Sequence, residues 1–469
     1  MLHILDNLYT EADARLPEIE KLLRFHPEGY IWAPSYRNRH WDGWIKLTRK
    51  KGDRLRFPTG LLEYVQRNIP NADKWTVLDS RTVPPQTVMW PYSVLGVTPD
   101  ALQEDAIHKA IGAGRGVVQM PTGAGKTIVE AAIIARLRRP ALVLVGKRDL
   151  LRQLHERLEK WLGGAIGIVG DSDFDPKIVT VATYQSIYRW LDRRSDEEDL
   201  SPAMNAFRVV VVDEGHHAPA KTFEAVLKAL PNAYFRYAFS ATPFKSGGKA
   251  DLGTRLQVMS WTGPLLTKVT ATETIESGRT VPADVTIIQY GPEAQEPALN
   301  YAAEYQTVVV EGERRNFAIA ALARRLSWRS PTLVLVERIE HGETLADLLN
   351  CPFVCGSTSK LTRTRLLREF GSETSGCLVA SKIADEGLDL PSIQYLILAG
   401  ASKAPHIQIQ RIGRGTRKAE GKDRLFVFDF TDPGKYLSSH SRKRRRTYEK
   451  EPSYTVMDTT IEELLSWLK

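Results

Sequence analysis

The chain has 469 residues, 42% hydrophobic and 26% charged, and its 64 Lys and Arg against 56 Asp and Glu leave a net charge of +8. That composition is ordinary for a globular protein and excludes a disordered, collagenous or fibrous one, and at ~150 residues per domain the length divides into about three. No run approaches the ~20 apolar residues of a bilayer span. No secretory leader opens the sequence, and three cysteines (Cys351, Cys355, Cys377) give no disulfide framework, so a cytoplasmic protein with plain thiols is expected.

The opening MLHILDNLYTEADARLPEIEKLL reads as an acidic helix, with Leu16, Ile19, Leu22 and Leu23 as its apolar positions. A β-rich stretch is expected from Tyr30 to Leu47, between turn signals at His26-Pro27-Glu28-Gly29 and Lys51-Gly52-Asp53. A helix over Leu61 to Ile69 follows. Pro84, Pro85, Pro91 and Pro99 then mark a linker from Arg81 to Pro99. This first region is chemically distinct: Arg37, Arg39, Lys46, Arg49, Lys50, Lys51, Arg54 and Arg56 face only Asp42 and Asp53, and Trp32, Trp41, Trp44, Trp75 and Trp90 cluster in it. Basic residues interleaved with aromatics suit a surface that grips phosphates and stacks on bases. The cations read as nucleic-acid contacts, and the tryptophans as the core of a small domain.

Beyond the linker, short apolar strands alternate with helices. Strands are expected at Val117–Gln119, Ala141–Val145, Ile178–Ala182, Val209–Val212 and Tyr234–Ser240, with helices at Lys126–Arg138 and Asp149–Trp161. The rhythm resumes at Thr332–Val336, Cys377–Ser381, Tyr395–Ala399 and Leu425–Asp429. Near-continuous apolar strands alternating with helices indicate parallel sheets covered on both faces: two α/β domains in tandem, joined somewhere between Gly263 and Ala302. The acidic run Asp196-Glu197-Glu198-Asp199 reads as a solvated loop. Arg442 to Arg446 reads as a basic tail that contacts phosphate, and Ile461 to Leu468 as a helix packed through Leu464, Leu465 and Trp467.

Chemistry enters at Met120-Pro-Thr-Gly-Ala-Gly-Lys-Thr127, which follows an apolar strand and opens a helix, the setting of a phosphate-binding loop. Thr122, Gly123, Ala124 and Gly125 would turn backbone N–H groups toward phosphate oxygens at a helix N-terminus. Lys126 would reach the β- and γ-phosphates, and Thr127 would offer its hydroxyl to Mg2+. Met120 replaces the first glycine of the strict pattern, which argues against a small-GTPase type. A second strand, Val209 to Val212, ends in Asp213-Glu214-Gly215-His216. Asp213 can hold the metal, and Glu214 can polarise an attacking water.

Asp213-Glu-Gly-His216 resembles the DExH box of superfamily 2 helicases and translocases. Ser240-Ala-Thr-Pro243 resembles their motif III, Ala384-Asp-Glu-Gly-Leu-Asp-Leu-Pro391 motif V, and Gln410-Arg-Ile-Gly-Arg-Gly-Thr-Arg417 motif VI. Lys147-Arg148 fits motif Ia, Thr183-Tyr-Gln185 the next nucleic-acid-contacting motif, and Gln103 the adenine-reading glutamine. The resemblance implies two tandem RecA-like parallel-sheet motor domains after a small α/β accessory domain, with bounds 1–90, 91–265 and 266–469. It further implies ATP and Mg2+ as cofactors and Arg414 and Arg417 as arginine fingers from the second domain. Gln410 and Asp389 would line the same ATP site. Ser240, Thr242 and His216 would couple hydrolysis to the nucleic-acid face, and Arg148, Thr183 and Gln185 would touch the strand.

Trp41-Asp-Gly-Trp-Ile-Lys-Leu47, with Phe57-Pro-Thr-Gly-Leu-Leu62 after it, resembles the start of phage UvsW-type recombination helicases. That implies a monomeric DNA motor of the host cytoplasm that remodels branched DNA by migrating junctions, regressing forks and unwinding D- or R-loops. An RNA helicase, a restriction-type motor and an ATP-gated nucleic-acid clamp stay open as alternatives.

Overall fold

The computed structural model describes residues 1–468 apart from 15, 28, 194–199, 215–219, 242–248, 292–297, 382–391 and 402–404. The chain separates into two compact units, one of Met1–Met120 and Gly125–Val269, the other of Pro121–Ala124 and Thr270–Lys469.

The first unit begins with strands, not with the expected helix. β1 (Leu2–Ile4) and β2 (Tyr9–Ala12) form a hairpin, and α1 (Pro17–Leu22) follows. β3 (Arg24–Phe25) pairs with β4 (Ile45–Lys46) at the base of a long loop holding the short helix α2 (Pro34–Arg37). The stretch from Tyr30 to Leu47 is therefore mostly loop, because its aromatics pack on one another instead of alternating across a sheet. β5 (Arg49–Lys51) and β6 (Arg54–Pro58) make the second hairpin, then come α3 (Leu62–Asn68) and β7 (Val77–Asp79). The sheet order is β5-β6-β2-β1-β7. From Ser80 to Pro99 there is no helix or strand, as the prolines require.

The motor part runs α4 (Ala101–Ala113), β8 (Arg115–Gln119), α5 (Lys126–Leu137), β9 (Ala141–Val145), α6 (Arg148–Leu162), β10 (Gly167–Gly170), β11 (Asp173–Asp175), β12 (Val179–Thr183) and α7 (Tyr184–Arg193). It continues with α8 (Ser201–Ala206), β13 (Val209–Asp213), α9 (Ala220–Lys228), β14 (Phe235–Ser240), α10 (Lys249–Trp261) and β15 (Leu265–Lys268). The sheet order is β11-β10-β12-β9-β13-β14-β8-β15, parallel but for the β10–β11 pair. Val143, Val181, Val211 and Tyr237 are fully buried on these strands, which is why the strands read as continuous apolar runs.

The N-terminal sheet does not stand alone. Leu256 and Met259 of α10 join Phe25, Leu55, Phe57 and Leu61 in one core. The Asn7 side chain donates to the Pro231 carbonyl at 2.9 Å. Arg236, on β14, is wholly buried and donates to the carbonyls of Leu227, at the end of α9, and of Leu230 and Ala233 in the turn that follows. Burial pulls that guanidinium down to about 9.

The second unit has α11 (Ala271–Glu276), β16 (Ala283–Gln289), α12 (Tyr301–Tyr305), α13 (Glu313–Ser327), β17 (Thr332–Leu335), α14 (Ile339–Leu349), β18 (Phe353–Val354), α15 (Lys360–Ser372), β19 (Cys377–Ala380) and β20 (Tyr395–Leu398). It ends with α16 (Pro405–Gly415), β21 (Leu425–Phe430), α17 (Leu437–Tyr448), β22 (Tyr454–Thr460) and α18 (Ile461–Trp467). Its sheet, in the order β18-β19-β17-β20-β21-β16-β22, is parallel throughout.

Three expectations change here. The division between the units, at Val269 and Thr270, falls inside the segment expected to hold the join, but that segment is not bare: it also contains β16, which is paired on both sides. Arg442 to Arg446 is no tail but the middle of α17. There Arg444 is buried, with Nε 2.8 Å and Nη2 3.0 Å from the two oxygens of Asp429, while Tyr448 donates to the same carboxylate at 2.8 Å. In α18, Ile461 and Leu464 enter the core and Leu465 packs against it, but Trp467 is exposed.

Candidate active site

Parallel strands deliver their C-terminal ends to one edge of a sheet, and β8, β14 and β13 are neighbours in it. The phosphate-binding loop leaves β8, Ser240 ends β14, and Asp213 ends β13. Register places Ser240 beside Gln119 and Asp213 beside Phe239. Gly123 and Gly125 take φ of +89° and +81°, left-handed values that a β-carbon resists, and Gly125 is the N-cap of α5.

Lys126, the first residue of α5, pairs with the Glu214 carboxylate through Oε1, and the Ser240 hydroxyl donates to Glu214 Oε2 at 2.8 Å. Glu214 itself sits at φ +50°, a strained position for a side-chain-bearing residue, and its N–H donates to the Phe239 carbonyl at 2.9 Å. One carboxylate thus ties together the phosphate loop, the DExH strand and the motif III strand. Burial works against the Lys126 charge, but Glu214 and Asp213 outweigh it and raise the ammonium.

Burial pushes the Asp213 carboxyl up to about 6, with Lys126 opposing and Glu214 adding to the rise. Its Oδ1 is buried with no hydrogen-bond partner. An orphaned carboxylate oxygen beside a phosphate loop suits a hard divalent cation. Asp213 and the Thr127 hydroxyl are the residues that fit Mg2+. A residue missed by the motif reading lies close by: Glu130, one helical turn beyond Lys126, is fully buried with both carboxylate oxygens unpartnered. Burial, and next Asp213, push its carboxyl well up. A glutamate four residues after the loop lysine, in an apolar helix, was the only signal available.

Gln103 is buried in the first turn of α4, where its Oε1 accepts from the Asp100 N–H and its own N–H donates to Asp100. That capping box sets the direction of its carboxamide. At the other end of the same sheet edge, Gln185 donates to the Gly146 carbonyl at 2.9 Å, which brings the Lys147-Arg148 turn and the start of α7 together. Arg148 is exposed, 3.9 Å from Asp171. Thr183, by contrast, is buried, and its hydroxyl donates to Ser186 at 2.8 Å, so it shapes the loop from within. In the second unit α16 carries Gln410 and Arg414. Arg417 is held just beyond it by a bridge to Thr280. His216, Thr242, Asp389, the Ala384–Pro391 motif and the acidic run 196–199 lie outside the described residues.

Of the N-terminal cations, Arg37, Arg39, Lys46, Arg49, Lys50 and Lys51 are all exposed. Lys46 pairs with Asp42 at 2.6 Å and Lys50 with Glu20 at 3.3 Å. Across the β5–β6 hairpin, Arg49 stands opposite Arg56 and Lys51 opposite Arg54. Such like-charge pairs destabilise a ladder. Buried Glu11 offsets part of the repulsion by pairing with Arg54 at 3.0 Å and Arg56 at 3.1 Å.

Two family models match the chain: type III restriction enzyme, res subunit, over residues 97–245, and helicase conserved C-terminal domain over residues 318–419. Putative helicase 22 of Sulfolobus islandicus filamentous virus is 26% identical over 67% of this chain, which spans 60% of that relative's length. The ATP-dependent DNA helicase uvsW of enterobacteria phage T4 is 22% identical over 94% of this chain and 95% of its own. Among solved structures, S. cerevisiae Dbp5 bound to RNA and ADP BeF3 shares the fold at a TM-score of 0.56 and 15% identity, over 79% of this chain and 93% of that one. The matched segments carry the phosphate loop, the Asp213-Glu214 pair and motif VI in their expected order, and on these grounds the chain carries the two domains these models describe and resembles the superfamily 2 helicases, UvsW among them.

Proposed function

We propose that this chain is an ATP-driven DNA motor that remodels branched DNA, migrating junctions, regressing forks and unwinding D- or R-loops. The observation that carries the hydrolytic half is Glu214, gripped by Lys126 on one oxygen and Ser240 on the other. ATP phosphates compete with Glu214 for Lys126. As the lysine is drawn to the phosphates, Glu214 Oε1 becomes available to take a proton from the attacking water, while Ser240 keeps the carboxylate in place. Mg2+, held by Asp213 and Thr127, would supply charge neutralisation on the phosphate oxygens. Gln103 reads the adenine, and Arg414 and Arg417 serve as arginine fingers, with Gln410 and Asp389 completing the set. Ser240, with Thr242 and His216, relays the state of Glu214 to the strand-contacting residues.

The DNA half rests on the exposed cations of β5 and its flanks, where repulsion is tolerated across the hairpin, and on the turn that Gln185 ties to Lys147-Arg148. Similarity to uvsW over nearly the whole chain supports DNA in preference to RNA. Among the described residues no helix is long and apolar enough to cross a membrane. The test is ATP hydrolysis by the purified protein with single-stranded DNA, duplex, fork, four-way junction and single-stranded RNA, with strand products scored in the same reactions. Strongest stimulation and strand movement on forks and junctions is expected. Stimulation by RNA alone, or turnover without strand movement, would reassign it as an RNA helicase or a clamp.

A further inference from the structure

The connection from His26 to Trp44, between β3 and β4, is long and holds only the single-turn α2 and a tight turn at Tyr30–Trp32, and surface loops held on a rigid scaffold often carry function. Its order comes from aromatic packing. The His26 ring stacks on Tyr30 with centroids 4.1 Å apart and leans on Trp44 at 3.7 Å, Tyr36 meets Tyr30 edge-on at 5.0 Å, and Arg24 lies 4.4 Å above Trp44. Trp41 donates its indole N–H to the Trp44 carbonyl at 2.9 Å. Trp41 and Trp44 are half-buried in this aromatic cluster, while the tryptophan packed against the core of the N-terminal sheet is Trp75.

Trp32 differs. It is 67% exposed, beside Ile31 at 47%, on a tight turn directly before Pro34 of α2. The Arg37 guanidinium lies 4.9 Å from its ring. Arg37, Arg39 and His40 line a shallow depression with Tyr36, Trp41 and Asp42, and Arg39 holds a left-handed φ of +58°. An exposed indole on a loop rigidified beneath it contributes little to folding, and backbone strain tends to collect at working sites.

We propose that Trp32 is a stacking platform for an unpaired DNA base, with Arg37 and Arg39 holding the phosphates that flank it. A base inside a duplex keeps both faces covered, whereas a base at a fork, a junction or a displaced strand offers one to an indole. This gives the N-terminal module a means of selecting branched over continuous duplex DNA, and it rests on the DNA-motor reading above. A cation over one ring face favours the electron-rich side of the indole and places positive charge beside the incoming backbone.

The test uses the full chain, with labelled oligothymidylate and a relaxed, covalently closed circular duplex, which has neither ends nor loops, as probes, titrated at several salt concentrations. Trp32→Ala should weaken oligothymidylate binding about 5- to 150-fold, leave binding of the circular duplex unchanged and leave the slope of log affinity against log salt unaltered. Trp32→Phe should retain most of the affinity. Arg37→Ala should reduce the magnitude of the single-strand slope by about 0.7. Wild-type affinity in Trp32→Ala, equal loss on both probes, or no rescue by Phe overturns the proposal. DNA-independent ATPase in the wild type would instead defeat the motor reading, and the binding comparison would still decide the role of Trp32.

Discussion

Gly60 offers the sharpest test of how the N-terminal sheet is joined to the motor. A β-carbon there would lie 2.0 Å from the Met259 carbonyl oxygen and 2.7 Å from that of Ser260, both at the end of α10. Comfortable heavy-atom contacts need about 3.5 Å, so Gly60→Ala forces the two segments more than ~1 Å apart. No side chain can turn away to absorb this, because the opposing atoms are backbone. Overpacking typically costs about 1–3 kcal/mol, and here the opening also loosens the core that Leu256 and Met259 share with Leu55, Phe57 and Leu61. For a unit of this size each kcal/mol lowers Tm by about 2–4 °C. Calorimetry and hydrogen exchange of Gly60→Ala should show that loss, with protection falling first in β6 and the last turn of α10. A variant that melts with the wild type and keeps that protection would falsify the shared-core account.

Other substitutions separate the remaining arguments. Glu214→Gln should still bind ATP but not turn it over, and Lys126→Ala should abolish hydrolysis; both are read by nucleotide binding beside phosphate release. Ser240→Ala removes a hydrogen bond to a charged group worth about 1.5–3 kcal/mol, so kcat should fall about 10- to 150-fold, and an unchanged kcat would remove Ser240 from the relay. Asp429→Asn removes the carboxylate behind both short contacts of the buried Arg444 guanidinium and leaves only that of Asp432, 3.7 Å away, so it should cost the second unit up to about 3 kcal/mol in denaturant unfolding. His341 is fully buried, donating from Nε2 to Asn316 Oδ1, and burial, then the Arg315 charge, lower it to about 3 from an ordinary 6.5. The unfolded chain binds this proton first, so stability is intact above pH 6.5 and is lost as pH falls toward 3, by a few kcal/mol in order of magnitude. His341→Gln should remove that part of the slope from the curve of unfolding free energy against pH.

What could be read from the sequence was what is local. The strands of the motor parts announced themselves because they are buried on both faces, and the phosphate loop and Asp213-Glu214 pair because turn and helix chemistry fix their spacing. The link through Ser240 was legible only through the resemblance to motif III, since its hydrogen bond to Glu214 depends on β14 lying between β8 and β13. β16 escaped notice because its partners, β21 and β22, lie far along the chain and pairing at that distance leaves no local period. Charge misled in the opposite direction: Arg444 read as part of a basic tail, yet it lies buried against Asp429, much as Arg236 and Arg315 are buried against carbonyls supplied by other segments. Trp32 and Trp467 failed for the converse reason, as hydropathy does not tell an anchoring indole from a presented one.

The basic hairpin has a consequence apart from DNA. β5 is the outer strand of its sheet and every residue of it is an exposed cation. A bare strand edge is a template on which another chain can add, and a row of lysine and arginine is among the commonest guards against that. Neutralising β5 therefore removes two things together, the proposed grip on phosphate and a barrier to self-association. A triple variant that binds DNA weakly should also be checked by light scattering, because clumping of the protein mimics a lost binding site.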